Sequence, residues 1–353
     1  MQQAIKGRGA SDNPENRFKE RPKIDYDINK ESGQKPSPKT QLIKDDTKEI
    51  ISYIKSPDIP FEAGLNPYRG CEHGCIYCYA RPYHEYLGFS CGLDFESKII
   101  VKYDAARLLR NTFESKKWSP KVIAFSGITD IYQPLERKLG ITRQCLEVLA
   151  DFRNPVTMIT KNHLVTRDID YLKELSEYNC VRVTVSITSL DKTLTQIMEP
   201  RTSRPQKRLW AIEQLANAGI PVGVNVAPII PGLTDSESVK ILEAAVNAGA
   251  QHAGYTILRL PWQLKELFSD WLEQHFPDRK EKVLNRLRDM HDGKLYKSNW
   301  GERRRGKGNF SKQIGDLFAL QKVRLGLNEE REPLTTQYFR RKEGGQMNLF
   351  DEM

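Results

Sequence analysis

At 353 residues and a formal net charge of +9, with 39% hydrophobic and 29% charged residues, the chain reads as a soluble globular protein long enough for one large domain or two ordinary ones. The polar N-terminus "MQQAIKGRGASDNPENRFKERPK" lacks the apolar core of a secretory signal, and the longest weakly polar run, 218–232, is broken by Pro221, Pro228 and Pro231. A cytoplasmic protein without membrane contact is therefore expected, and in a reducing compartment its six cysteines point to metal or redox chemistry rather than disulfides.

Residues 1–50 are rich in Lys, Asp, Pro, Ser and Gly without a sustained period, and a flexible arm is expected there. Cys71, Cys75 and Cys78 follow in "NPYRGCEHGCIYCYARP". From about 121 to 276 apolar runs alternate with amphipathic stretches. "KVIAFSGI" (121–128), "PVTMITK" (155–161), "VRVTVSIT" (181–188), "PVGVNVAPII" (221–230) and "HAGYTILRL" (252–260) read as strands. Leu209, Ile212, Leu215 and Ala216 fall at helical spacing, as do Val239, Leu242, Ala245 and Val246. Each of these helices ends in Ala-Gly, at Gly219 and Gly249. Such alternation predicts βαβ units and a parallel sheet.

The run at 181–188 selects among parallel architectures. Val181, Val183, Val185 and Ile187 share one face, while Arg182, Thr184, Ser186 and Thr188 share the other. A strand covered by helices on both sides would be apolar throughout. A polar second face predicts a cavity lined by working side chains, hence an α/β fold with an incomplete parallel (β/α) barrel over 51–276. Working residues then belong just after each apolar run, at the carboxyl ends of the strands. A helical, basic extension is expected over 277–342 and a flexible tail over 343–353. Within the extension, "KLYKSNWGERRRGKGNFSK", from Lys294 to Lys312, holds seven Lys or Arg and one Glu and suits a polyanion such as nucleic acid.

Three thiolates can hold three irons of a [4Fe–4S] cube and leave the fourth iron open to another ligand. Zinc is the rival: His73 or His84 could complete a Cys3His site. The spacing C-x3-C-x2-C, with the aromatic Tyr77 before the third Cys, resembles the signature of radical S-adenosylmethionine (radical SAM) enzymes. The resemblance implies a cluster on Cys71, Cys75 and Cys78, S-adenosylmethionine on the open iron, an electron donor, and cleavage to a 5′-deoxyadenosyl radical. Over about residues 50–265 the chain looks most like the branch related to spore photoproduct lyase, often called DNA repair photolyase-like. That likeness implies Thr129 and Asp130 near the cofactor's amine, Lys161 at its carboxylate, Ser186 at its ribose, and Ala227, Pro228 and Tyr77 beside its adenine. It also implies a lyase-type, DNA-repair-like reaction. The chain departs from the branch at Ile128, where the lyase has a hydrogen-donor cysteine. Cys91 could substitute, but an isolated Cys reads first as a small buried apolar residue. The rival functions are a radical enzyme acting on a protein or small metabolite, and a non-catalytic zinc-binding nucleic-acid module.

Other features carry less. Glu199 and Arg201, in "QIMEPRTSRP", either reach the cavity or form a turn before a helix. His163 reads as structural. Trp210, Trp262, Trp271 and Trp300 read as packing residues, with Trp300 placed to stack a base beside the Arg run. Near the end, "QMNLF" (346–350) resembles the peptide by which bacterial replication and repair proteins dock on the DNA sliding clamp. Leu349 and Phe350 would be its apolar anchors, and Gln346 its directional hydrogen bonder.

Overall fold

The computed structural model describes residues 4–18, 38–330 and 332–341; the "QMNLF" motif lies outside them. Ten strands are described: β1 (Gln41–Lys44), β2 (Ile51–Tyr53), β3 (Ala63–Leu65), β4 (Tyr68–Arg69), β5 (Lys98–Val101), β6 (Ile123–Phe125), β7 (Val156–Thr160), β8 (Val181–Ser186), β9 (Val222–Ile229) and β10 (Ala253–Ile257). Seven form the main sheet in the order β10-β9-β8-β7-β6-β3-β2. All neighbours in it are parallel except β2, which runs antiparallel to β3. The fold is therefore mixed α/β with a parallel sheet, open at β10 and β2.

Helices Ile141–Phe152, Ile169–Glu177, Pro205–Asn217 and Ser238–Asn247 return the chain between successive strands from β6 to β10. The last two stop where the sequence predicts, at Gly219 and Gly249, whose φ values of +75° and +95° suit glycine. Val181, Val183, Val185 and Ile187 are fully buried in the core shared with these helices. On the opposite face Arg182 and Thr184 are half-buried, and Ser186 and Thr188 are buried, with the Thr188 hydroxyl on Ala227 O. The amphipathic reading of this strand holds.

Two strand readings need correction. The run at 121–128 makes a strand only over Ile123–Phe125. Ser126 has φ +97°, which ends the ladder, and the Asn66 Oδ1 accepts from the backbone N–H of Gly127 and Ile128 in place of a neighbouring strand. Conversely β3 gave no signal. Its three residues, Ala, Gly and Leu, show neither period nor β-branching, yet it fills the sheet between β6 and β2.

The N-terminal stretch read as a loose arm is built into the fold where it is described. β1 pairs with β5, and the Gly9 and Ala10 N–H groups donate to the buried Glu96 carboxylate at 3.1 and 2.9 Å. Polar composition suggested looseness; a buried carboxylate needing donors holds these residues in place. The two helices expected in the extension are present, Pro277–Met290 and Gly308–Arg324, and both pack on the α/β body. Phe318 meets Tyr255 of β10 with ring centroids 4.6 Å apart.

The basic segment between those helices is largely committed to structure. Arg304 O accepts from Ile257 N at the end of β10, while its guanidinium donates to Asp58 O. Arg303 pairs with the Asp58 carboxylate, which also accepts from Gly301 N. Asp58 lies between β2 and β3, so this segment ties together the two edges of the open sheet. Lys297 pairs with Asp292 and Lys307 with Glu302. Four of the seven cations expected to meet a polyanion thus have acidic or backbone partners inside the protein.

Candidate active site

The stretch 71–78 is a loop, and its backbone is held from several directions. Cys71 N donates to Phe95 O at 2.9 Å, Ile76 N to Met198 O at 3.1 Å, and Arg201 N to His73 O at 3.2 Å. Gly74 sits at φ +66°, and an added Cβ would meet the Glu96 carboxylate at 2.7 Å, so both conformation and space require glycine. Beneath the loop lies Arg81, fully buried. It donates to Cys75 O (2.9 Å), Gly74 O (3.1 Å), Cys91 O (3.1 Å) and Gly92 O (2.9 Å), and it pairs with the equally buried Glu96. A guanidinium has five donors in a fixed fork, which is what four carbonyls and a carboxylate demand.

The three thiols line one cleft with Thr129, Asp130, Lys161 and Ser186. These side chains follow β6, follow β7 and end β8, at the carboxyl edge of the sheet. Burial pushes all three thiols up; Lys161 works against this at Cys75 and Cys78, as does Arg81 at Cys78. No carboxylate pairs with the Lys161 ammonium among the described residues, and it lies 5.7 Å from the centroid of the Tyr77 ring.

Asp130 and Thr129 are present at the cleft, but both are spent within the protein. Asp130 accepts from Tyr132 N (2.9 Å), Thr160 Oγ1 (2.8 Å) and Lys161 N (2.8 Å), and its Oδ2 stands 3.3 Å from His73 Nδ1. Burial alone would raise this carboxyl; the His73 imidazole and the backbone donors outweigh it and hold it at about 2. Thr129 Oγ1 donates to Gly70 O at 2.6 Å. The pair locks the strand ends to the start and middle of the cysteine loop. Ala227, Pro228 and Tyr77 are buried and do not line the cleft. Tyr77 donates instead to the Glu199 carboxylate and stands 3.2 Å from Thr188 Oγ1. Glu199 lies under the loop rather than in the cavity, paired with Arg208, and both are fully buried. Burial would raise Glu199, but Arg208 and Lys161 hold it below its ordinary value. Arg201 pairs with Glu72 at 3.3 Å.

The zinc alternative finds no fourth ligand among the described residues. His73 Nδ1 faces Asp130, and its Nε2 stands 3.2 Å from Asn162 Nδ2. His84 is packed against Phe89 and Phe95 outside the cleft. Three thiols, buried at Cys71 and Cys75 and half-buried at Cys78, with no other sulfur in the cleft lining, fit a cluster in which each binds a different iron. Cys91 is buried and does not line the cleft, whereas Ile128 lines it. His163 bonds Ser203 Oγ, as a structural histidine does. Trp271 is buried, but Trp210, Trp262 and Trp300 are partly exposed, and Arg303 covers the Trp300 face at 4.0 Å.

Arg81, Glu96, Asn66 and Tyr79 gave no signal in the sequence. Tyr79 lines the cleft and donates to Gly127 O at 2.7 Å. An arginine a few residues after a cysteine is ordinary until its carbonyl partners are seen.

The Radical SAM superfamily profile matches residues 65–245, just over half of the chain. An uncharacterized protein of Mycobacterium tuberculosis is 34% identical over 235 residues, 66% of this chain and 68% of its own length. A protein named radical SAM Nα-GlyT isomerase, from Pseudomonas phage M6, is 23% identical over 223 residues, 63% of this chain and 44% of its own. Among solved structures, a double mutant of spore photoproduct lyase with bound AdoMet and dinucleoside spore photoproduct has a TM-score of 0.56 at 18% identity, over 80% of this chain and 78% of that one. The profile spans the cysteine loop and the strand ends that surround it, and on that ground the chain belongs to the radical SAM superfamily, enzymes that work with a [4Fe–4S] cluster and S-adenosylmethionine.

Proposed function

We propose that the chain holds its cluster on Cys71, Cys75 and Cys78, within an incomplete parallel (β/α) barrel in the cytoplasm, and acts on nucleic acid in a DNA-repair-like, lyase-type reaction. The observation that carries the reading is the meeting of three thiols in one cleft with the Lys161 ammonium and the buried Ser186 hydroxyl at adjacent strand ends. When bound, the cluster and S-adenosylmethionine supply a 5′-deoxyadenosyl radical for hydrogen abstraction. The chain's own residues do the positioning. Lys161 offers its charge to the cofactor carboxylate, and Ser186 offers a hydroxyl to the ribose. Asp130 and Thr129 fix the cysteine loop against β6 and β7. The net charge of +9 and a structural neighbour bound to a dinucleoside support nucleic acid over a protein or small metabolite. With Ile128 in the cleft, the hydrogen donor of the known lyase is not carried over.

The test is anaerobic reconstitution followed by dithionite. A brown protein absorbing near ~400 nm that releases 5′-deoxyadenosine supports the reading; a colourless, inactive one ends it. Lys161→Met is expected to weaken S-adenosylmethionine binding about ten- to a hundredfold, from a lost charge-assisted contact of roughly 1.5–3 kcal/mol. Iron content should stay unchanged in that variant. Equal affinity by equilibrium dialysis would remove Lys161 from the pocket. A link to DNA independent of the cysteines rests on residues 346–350. A peptide of residues 343–353 is expected to bind purified bacterial sliding clamp at about micromolar strength. No binding at about a millimolar would remove that link.

A further inference from the structure

The rim of the cleft near β10 carries guanidinium groups that nothing in the mechanism uses. Arg259 follows β10 by two residues. Its guanidinium carbon lies 4.9 Å from the centroid of the Tyr79 ring, and Tyr79 lines the cleft beside the cysteines. Its Nε is buried without a hydrogen-bond partner, and no carboxylate pairs with it among the described residues. Arg304 is brought to the same place by the backbone bond from Ile257 to Arg304 O. The Asp58 carboxylate is taken by Arg303 and Gly301 N, and Asp58 gives Arg304 only a backbone carbonyl. Arg305 stacks at 3.9 Å on Tyr255 of β10. Burial, with Arg259 and Arg305 nearby, pushes Arg304 below its ordinary value, and neither the Tyr79 hydroxyl nor Asp58, which act the other way, offsets it.

We propose that Arg259 and Arg304 form a phosphate subsite for the substrate at the rim of the cluster cleft. The inference rests on the functional reading above and deepens it, because it places one substrate phosphate beside the Tyr79 ring. A buried donor without a partner costs free energy that a ligand recovers on binding. A paired guanidinium fork matches phosphate geometry. The aromatic face of Tyr79 lies next to it on the cleft side, so a planar group attached to that phosphate would point toward the thiols.

Two probes separate the sources of the phosphate: a fluorescein-labelled single strand of about twelve nucleotides and a nucleoside 5′-monophosphate. Arg259→Gln is expected to weaken one or both about tenfold. For the strand it should also reduce the slope of log affinity against log salt by about one. Loss with the strand alone assigns a backbone phosphate; loss with the monophosphate assigns a small phosphorylated substrate. Both support the subsite. Arg259 has no carboxylate partner among the described residues, so the variant is expected to fold, which unchanged thermal unfolding checks; Arg304→Gln tests the second guanidinium independently. Lys173→Gln, on an exposed helix face, is the control and should bind within about twofold. If both arginine variants bind both probes as the unaltered chain does, or the unaltered chain binds neither, the subsite is overturned. The functional reading is scored apart from this, on the unaltered chain without nucleic acid, by 5′-deoxyadenosine released under dithionite.

Discussion

Cys71→Ala, Cys75→Ala and Cys78→Ala are each expected to abolish S-adenosylmethionine cleavage and to lose the intact four-iron cluster. In the proposed arrangement each thiolate holds a different iron, and the cleft lining offers no other sulfur that could take its place. Cys145 and Cys180 are equally buried, yet Cys145 sits in the core helix Ile141–Phe152, and the Cys180 thiol donates to Tyr178 O at 3.3 Å. Their alanine variants should keep iron and cleavage, at a stability cost of about 1 kcal/mol for a small truncation in the core. Iron and sulfide analysis with 5′-deoxyadenosine chromatography reads both sets. A triplet variant that keeps four irons and still makes 5′-deoxyadenosine would show that the cluster is elsewhere.

The second large effect lies under the loop, at a residue that touches no cofactor. Arg81→Met leaves the Glu96 carboxylate buried and strips donors from four carbonyls, two of them in the cysteine loop at Gly74 and Cys75. Removing one partner of a buried ion pair costs about 3–5 kcal/mol, a large part of the roughly 5–15 kcal/mol that keeps a domain folded. The expected result is a urea midpoint well below that of the unaltered chain and poor iron retention. Arg81→Lys should recover little, because a single ammonium cannot reach carbonyls on both sides of the loop. A variant with the original midpoint and full iron would mean that the loop is held by its own backbone bonds alone.

These two expectations differ in where they became visible. The triplet stands out in the sequence because its three cysteines lie within eight consecutive residues. The strand ends were legible for a related reason, although it was the likeness to the lyase branch that picked out Asp130, Lys161 and Ser186 there. A parallel strand with helices behind it must be apolar, so the point where the run turns polar marks its carboxyl end. Their partners were not legible. The likeness placed Asp130 near the cofactor's amine, and the structure adds that its carboxylate also accepts from Thr160 Oγ1 and Lys161 N and faces His73. Which of a carboxylate's lone pairs are already taken is decided by chains that arrive from elsewhere.

The sequence by itself determined the α/β alternation, the helix stops at Gly219 and Gly249, the amphipathic face of β8 and the close spacing of the three cysteines. Each depends on a period or spacing of a few residues, and local sterics and burial enforce it. Only the tertiary structure decided the rest. β3 is a strand because β6 and β2 flank it, not because Ala-Gly-Leu prefers to be one. The stretch 4–18 is held because Glu96, far along the chain, is buried and needs donors. The basic run at 294–312 looked like a polyanion site from its charge count, but Asp58, Asp292 and Glu302 take up three of its seven cations. Charge density is a property of composition, whereas availability of charge depends on which opposite charges the fold brings within about 4 Å. That distance is set by contacts across hundreds of residues, and no local pattern encodes it.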